Sequence, residues 1–171
     1  MEEIQVRIYS IASSLTHTVI FLEEIAGERI LPIAIGPAEG QSIAVRLSGI
    51  KLLRPITHDL ILSLIESLGA KVKNICITQI KEDTFYAALR LDAAGQLKET
   101  DSRPSDAMAI AVRAECPMYV AREVFEKAQC MLKPISEEDV KKFKQELKNL
   151  KPGDIFGKTG EAGSQPPGEN Q

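Results

Sequence analysis

Two short segments of the chain gather the side chains that proton transfer and phosphate binding require. Arg54-Pro55-Ile56-Thr57-His58-Asp59-Leu60 sets an imidazole beside a carboxylate and close to an arginine. An imidazole titrates near neutral pH, which makes His58 the candidate general acid or base. Asp101-Ser102-Arg103-Pro104-Ser105-Asp106-Ala107 gathers two carboxylates, two hydroxyls and an arginine at the start of a helix. Free N–H groups and the helix dipole favour negative charge there. Arg103 precedes a proline and is therefore extended, which should aim its side chain off the helix. A phosphodiester could be bound by Arg103 and Ser105, with Arg54 assisting. Asp101, Asp106 and Glu39, with Asp59, supply enough carboxylates for Mg²⁺ or Mn²⁺ to activate water. Each segment also has a purely structural reading. Asp59 can cap its helix while His58 bonds to the preceding loop, and 101–107 can be a self-satisfied turn. Phosphate-loop, dinucleotide, zinc-protease and serine-hydrolase motifs are absent from the sequence.

Those residues need elements to position them. Ile4, Val6 and Ile8 alternate with polar residues, the period of a half-buried strand. Strands follow over Thr18 to Ile25 and Arg29 to Ile35. Pro37 opens a helix to about Leu47, since proline costs nothing at the first helical position. A second helix begins near Thr57, its expected N-cap, with Leu60, Ile61, Leu64, Ile65 and Leu68 at helical spacing. Strands return at Val72 to Ile80, Thr84 to Leu91 and Gln96 to Thr100. Pro104 opens a third helix ending near Glu115. A short strand (Met118 to Ala121) and a short helix (Glu123 to Gln129) come next. The fold class is α+β, with mixed β-sheets and packed helices.

Residues 36–47 laid over 103–114 give five identities in twelve, at Pro37/Pro104, Ile43/Ile110, Ala44/Ala111, Val45/Val112 and Arg46/Arg113. Glu39 falls on Asp106. The pattern suggests an internal duplication of a β-β-β-α unit, two halves sharing one core. Glu39 and Asp106 would then lie in matching first helical turns, either as caps or as a pair of carboxylates facing a cleft.

Composition removes several classes. There are 21 Lys and Arg against 24 Asp and Glu, a net charge of −3, so nucleic-acid contact must rest on a local cluster of cations. No apolar run is long enough to span a bilayer. The three cysteines, Cys76, Cys116 and Cys130, are odd in number and widely spaced, which supports neither a zinc site nor a disulfide framework and points to the cytoplasm. Val140, Phe143, Leu147 and Leu150 line one face of a C-terminal amphipathic helix beside a row of lysines. The stretch 157–171 holds four Gly and two Pro in fifteen residues and reads as a disordered tail.

Taken together, Leu31 to Gly40, Arg54 to Leu60, Thr84-Phe85-Tyr86-Ala87 and Ser102 to Ala107 resemble the bifunctional nuclease domain family over about residues 4–130. The resemblance implies a compact α+β domain, usually self-associating, in bacterial and plant proteins, with some plant members degrading both RNA and DNA. Its polar motif positions fall on Glu39, Arg54, His58, Asp59, Arg103, Ser105 and Asp106. Gly40 stands where alanine is more usual. The domain should occupy residues 1–132, with a helical extension at 133–156 and the tail at 157–171. The combined expectation is a cytoplasmic nuclease assisted by Mg²⁺ or Mn²⁺, a homo-oligomer acting on DNA or RNA away from any membrane. In it His58, Asp59 and Asp106 would be catalytic, Arg54, Arg103 and Ser105 would bind phosphate, and Asp101, Asp106 and Glu39 would hold metal. The alternative is a non-enzymatic, self-associating regulatory or scaffold domain.

Overall fold

A strand that buries one face and wets the other places alternate side chains together. In the computed structural model, which describes residues 2–14 and 17–134, Ile4, Val6 and Ile8 lie on the core side of β1 (Glu3–Ser13). β2 (Thr18–Glu24) and β3 (Arg29–Ile35) follow as antiparallel neighbours. The second run is β4 (Ala70–Lys81), β5 (Thr84–Ala93) and β6 (Gln96–Ser102), again antiparallel. Its two tight turns carry Glu82-Asp83 and Ala94-Gly95 at positive φ, the hairpin geometry whose twist matches that of the strands.

β7 (Met118–Ala121) joins the two runs, pairing parallel with β4 and antiparallel with β1. With β8 (Met131–Leu132) on the far edge, a single mixed sheet results, in the order β6-β5-β4-β7-β1-β2-β3-β8. The element order runs twice through β-β-β-α, but duplication of the sequence is a separate claim that element order does not carry.

Among the described residues four helices accompany the sheet: α1 (Pro37–Leu47), α2 (Thr57–Ser67), α3 (Pro104–Ala114) and α4 (Arg122–Lys127). Pro37 and Pro104 open α1 and α3 as expected. α3 is the central one, packing against α1, α2, β4 and β5. Ala107, Met108, Ala109, Ile110 and Ala111 are all buried, and its small side chains let neighbours close on several sides. A helix that is apolar nearly all round belongs inside.

Several boundaries differ from the sequence reading. β6 runs on to Ser102, so Asp101 belongs to a strand. α4 begins at Arg122 and ends at Lys127, and β8 is an addition. Thr57 is the first helical residue of α2 rather than its cap. Ile56 holds the N-cap position, and its N–H donates to Asp59 Oδ2 at 2.9 Å. The described elements belong to one compact unit, Met1–Lys133. The helix expected within 133–156 and the tail at 157–171 lie outside the described residues, apart from Lys133 and Pro134. Among the described residues no helix is long and apolar enough to cross a membrane.

Gly40 has a local cause. A Cβ there would meet Thr18 Cγ2 at 2.5 Å, because α1 lies directly against the start of β2, where Thr18 is fully buried. Gly40→Ala gains roughly 1 kcal/mol of helix propensity, but overpacking at this contact costs about 1–3 kcal/mol. We expect net destabilisation in chemical denaturation, smaller in a Thr18→Ser background that removes the methyl group. A Gly40→Ala protein as stable as the parent would contradict this packing.

Candidate functional site

The site starts from one buried guanidinium. Arg113, on the last turn of α3, has a side chain only 5% exposed. A charge there must be paired and hydrogen-bonded. Its Nε donates to Asp59 Oδ1 at 2.6 Å, its Nη1 to the Ala109 carbonyl at 2.7 Å, and its Nη2 to Ser42 Oγ at 3.0 Å and the Ser42 carbonyl at 3.2 Å. Three helices therefore meet at this side chain.

Ser42 passes the order on. Its hydroxyl oxygen already accepts from Arg113, so its own hydrogen turns to His58 Nδ1, 2.9 Å away. The acceptor must then be an unprotonated Nδ1. A neutral ring of that tautomer carries hydrogen on Nε2, which donates to Asp106 Oδ1 at 3.3 Å. His58 is nearly buried, and the network assigns both ring nitrogens.

Asp106 is where the chain of bonds reaches solvent. Arg103 Nε donates to its Oδ2 at 2.7 Å and Arg103 Nη2 to its Oδ1 at 3.0 Å. The same Nη2 donates to Glu39 Oε1 at 2.8 Å. Glu39 folds back over Gly36, in space that a Cβ at that position would fill. The Arg103 guanidinium holds the Asp106 carboxyl below its ordinary pKa, against an opposing push from desolvation, and His58 adds to the lowering. Desolvation pushes the Asp59 carboxyl up, but the Ile56 N–H and the Arg113 guanidinium outweigh it, and its pKa falls as well.

Arg103 itself is 66% exposed at the side chain. Its backbone is extended, as the following proline requires, yet the side chain bends back to Asp106 instead of leaving the helix. Among the described residues, Nη1 makes no hydrogen bond. Arg103 lines a cleft of about 290 Å³ between the end of β3, the β4–β5 turn and the start of α3, together with Gly36, Thr84, Phe85, Pro104 and Ser105. The α3 N-terminus has no side-chain cap, which leaves the Ser105 and Asp106 N–H groups as the first free donors of the helix.

Most of the residues singled out in the sequence thus come together: Glu39, His58, Asp106, Arg103 and Ser105 around one helix start, with Asp59 at the inner end of the chain of bonds. Arg54 does not join them. It lines a different cleft, with Asp59 and Arg113. Asp101 sits on β6 opposite Ala88 with its side chain exposed. The Arg103 guanidinium fills the place between Glu39 and Asp106 that a cation would need. Among the described residues no three His, Cys, Asp or Glu side chains are grouped to hold an ion. These carboxylates fit an arginine better than a metal. Cys76 is buried and its thiol is pushed up to about 12 by desolvation, which makes it inert at neutral pH.

Sequence reasoning missed Ser42 and gave Arg113 no role. Arg113 carried a signal, because its spacing from Asp106 is about two helical turns on the same helix. Ser42, between Gln41 and Ile43, carried none.

Comparison with known proteins bears on this site. A model of the bifunctional nuclease domain matches residues 20–133. The chain is 38% identical over 146 residues to an uncharacterized protein of Mycobacterium tuberculosis, covering 80% of this chain and 87% of that one. It is 30% identical over 111 residues to bifunctional nuclease 1 of Oryza sativa subsp. japonica, covering 63% of this chain and 34% of the relative. For bifunctional nuclease 1 of Arabidopsis thaliana the figures are 27% over 94 residues, 53% and 29%. The chain therefore spans about a third of the length of these plant relatives.

Asp106 gives the site a pH signature. Its folded pKa lies below its unfolded value of about 3.9. The stabilisation is therefore complete above that value and is lost as pH falls through the lower folded one. Asp106→Asn should accordingly cost most stability near neutral pH, and the gap from the parent should close as urea melts are taken down to about pH 2. A gap that stays constant across that range would show that Asp106 is not held ionised by folding.

Proposed function

The chain belongs to the bifunctional nuclease domain family, and on that premise we propose that it hydrolyses phosphodiester bonds of DNA or RNA in the cleft beside Arg103. The observation that carries this reading is the state of Arg103. It is pinned by Glu39 and Asp106 through Nε and Nη2, while Nη1 is left over on an exposed guanidinium at the mouth of the cleft. A phosphate oxygen would accept from Nη1, and the first N–H groups of α3 would add donors beside it.

Asp106 is then the group nearest the reacting atoms. Its carboxylate orients a water for attack on phosphorus. As the P–O bond forms, the water's proton passes to the carboxylate, the bond to the leaving oxygen breaks, and that oxygen takes a proton from solvent. A carboxylate with a lowered pKa is a weak base. The incoming phosphate draws on the charge of Arg103, the group that lowers the pKa, so substrate binding itself makes Asp106 more basic. His58 is a positioning residue here. Both of its nitrogens are engaged and it is nearly buried, so it aims Asp106 and does not touch the strand.

A divalent ion belongs to this proposal only as something arriving with the strand, since Arg103 holds the carboxylates of the free protein. A cytoplasmic location and self-association belong to it as well. Three unpaired cysteines support the first. Leu60 and Leu64 on one face of α2, with Leu68 just past its end, 54%, 52% and 83% exposed, support the second.

The test is cleavage of labelled DNA and RNA by the purified full chain. Arg103→Ala and Asp106→Asn should each lose about 10²-fold or more in rate, the range of a removed electrostatic or acid–base contribution. His58→Gln should keep more activity than His58→Ala and shift the pH profile. Equal cleavage by all four variants would expose a contaminant and end the assignment. EDTA should leave the melting temperature unchanged, and cleavage lost in EDTA at an unchanged melting temperature would assign the ion to the strand.

A further inference from the structure

A second cleft of the domain lies apart from the one beside Arg103. It measures about 370 Å³ and lies where the 50–55 segment passes the C-terminal end of α1 and the start of α2. That volume is in the range of small-ligand sites. We infer that this second cleft binds a nucleotide unit of the strand away from the bond being cut, with phosphate on Lys51 and Arg54 and the ring against Leu52, Leu53 and Pro55. The inference rests on the nuclease reading for its choice of ligand.

Charge is the first argument. Four cations line the cleft (Arg46, Lys51, Arg54 and Arg113) with a single acid, Asp59. Asp59 is bound to Arg113, and Arg46 is paired with Glu115 at 2.8 Å. Lys51 and Arg54 have no ion pair or hydrogen bond among the described residues. A chain of net charge −3 therefore presents two uncompensated cations in the lining of one hollow, the local cluster an anion requires.

The apolar lining is the second. Leu53 is fully exposed, Ile50 is 58% exposed and Leu52 47%. Neighbouring apolar side chains left in water at the rim of a concave, cationic site mark a binding surface. They suit a ring with an apolar face, and the cations suit its phosphate. No aromatic side chain lines the cleft, so affinity should come mainly from phosphate contact and depend strongly on salt.

The cleft is also wired to the proposed catalytic group. Arg113 and Asp59 form part of its wall, and the same Arg113 orders Ser42, which orders His58, which holds Asp106. One strand could therefore engage both ends of a single chain of hydrogen bonds.

The experiment measures binding apart from cleavage, by fluorescence anisotropy of a labelled, cleavage-resistant phosphorothioate decanucleotide on the full chain. Lys51→Glu/Arg54→Glu should weaken binding about ten-fold or more at low salt, and Lys51→Gln/Arg54→Gln should do so by less. The slope of log affinity against log salt should fall by about 1–2 in the neutral variant, the share of two phosphate contacts. Both side chains are exposed, and unchanged thermal melts will show that the variants are folded. Variants that bind as tightly as the parent with the same slope would overturn the inference, as would a parent that does not bind. A strand that binds in the predicted way and is never cut would retire hydrolysis and keep the second cleft. A strand that is cut while the variants bind like the parent would do the reverse.

Discussion

The polar network that joins α1, α2 and α3 is arranged around the burial of the Arg113 guanidinium. Removing such an ion from water costs several kcal/mol. The fold offsets that by giving Nε, Nη1 and Nη2 four acceptors contributed by α1, α2 and α3. Taking away one partner would leave a buried charge short of its bonds, at about 3–5 kcal/mol if Asp59 were lost. The three helices are thus set in a common register by one side chain. An apolar core tolerates small slides between helices, because its attraction has no direction. Hydrogen bonds to a planar guanidinium do have direction.

That constraint travels outward. Because Arg113 occupies the Ser42 oxygen, Ser42 must donate to His58, and because His58 Nδ1 must accept, Nε2 must donate to Asp106. Each residue has its donor or acceptor role assigned by the one before it. At the outer end the same chemistry appears with the opposite exposure. Arg103 also binds two carboxylates, but from solvent, where screening makes such pairs worth little for stability. One arginine fastens the helices and the other is free to exchange partners. Through their depth in the fold, two residues of one type thus differ in how firmly they are held.

Much of this was legible in the sequence. The elements announce themselves through Ile4-Val6-Ile8 alternation, through Pro37 and Pro104 at helix starts, and through Ala94-Gly95 at a hairpin. Arg103, Asp106, His58 and Asp59 were legible as candidates because each lies in a dense local segment, but the bonds that they make were not. The failures share a cause. Arg54 is near His58 along the chain, yet it lies in the irregular segment before α2 and lines a different wall. Arg103 was expected to point away because backbone conformation alone was considered. Two carboxylates nearby, one of them from α1, bring it back. Ser42 was invisible because a serine in a helix has no distinguishing pattern. It acquires a role only where α1 meets side chains of α2 and α3, and no spacing rule encodes such a meeting. Gly40 is similar, since the reason for it is Thr18, on another element.

The two clefts differ in a way that follows from this layout. The cleft beside Arg103 ends on two carboxylates already bonded to its guanidinium, so an arriving phosphate must compete with them for it. The larger cleft presents cations with no such competitor. Phosphate should therefore settle first where no ion pair has to be broken, and the adjacent part of the strand is then offered to Arg103 as a neighbour and not as a free ligand. Tethering raises the effective concentration of a second contact without strengthening it. That matters most for a weak, reversible contact such as the outer face of Arg103. On the proposed reading, a domain with an overall acidic balance would hold a polyanion through one small basic surface and the open face of Arg103, provided that both belong to one rigid body. Arg113 and its bonds to the three helices supply that rigidity.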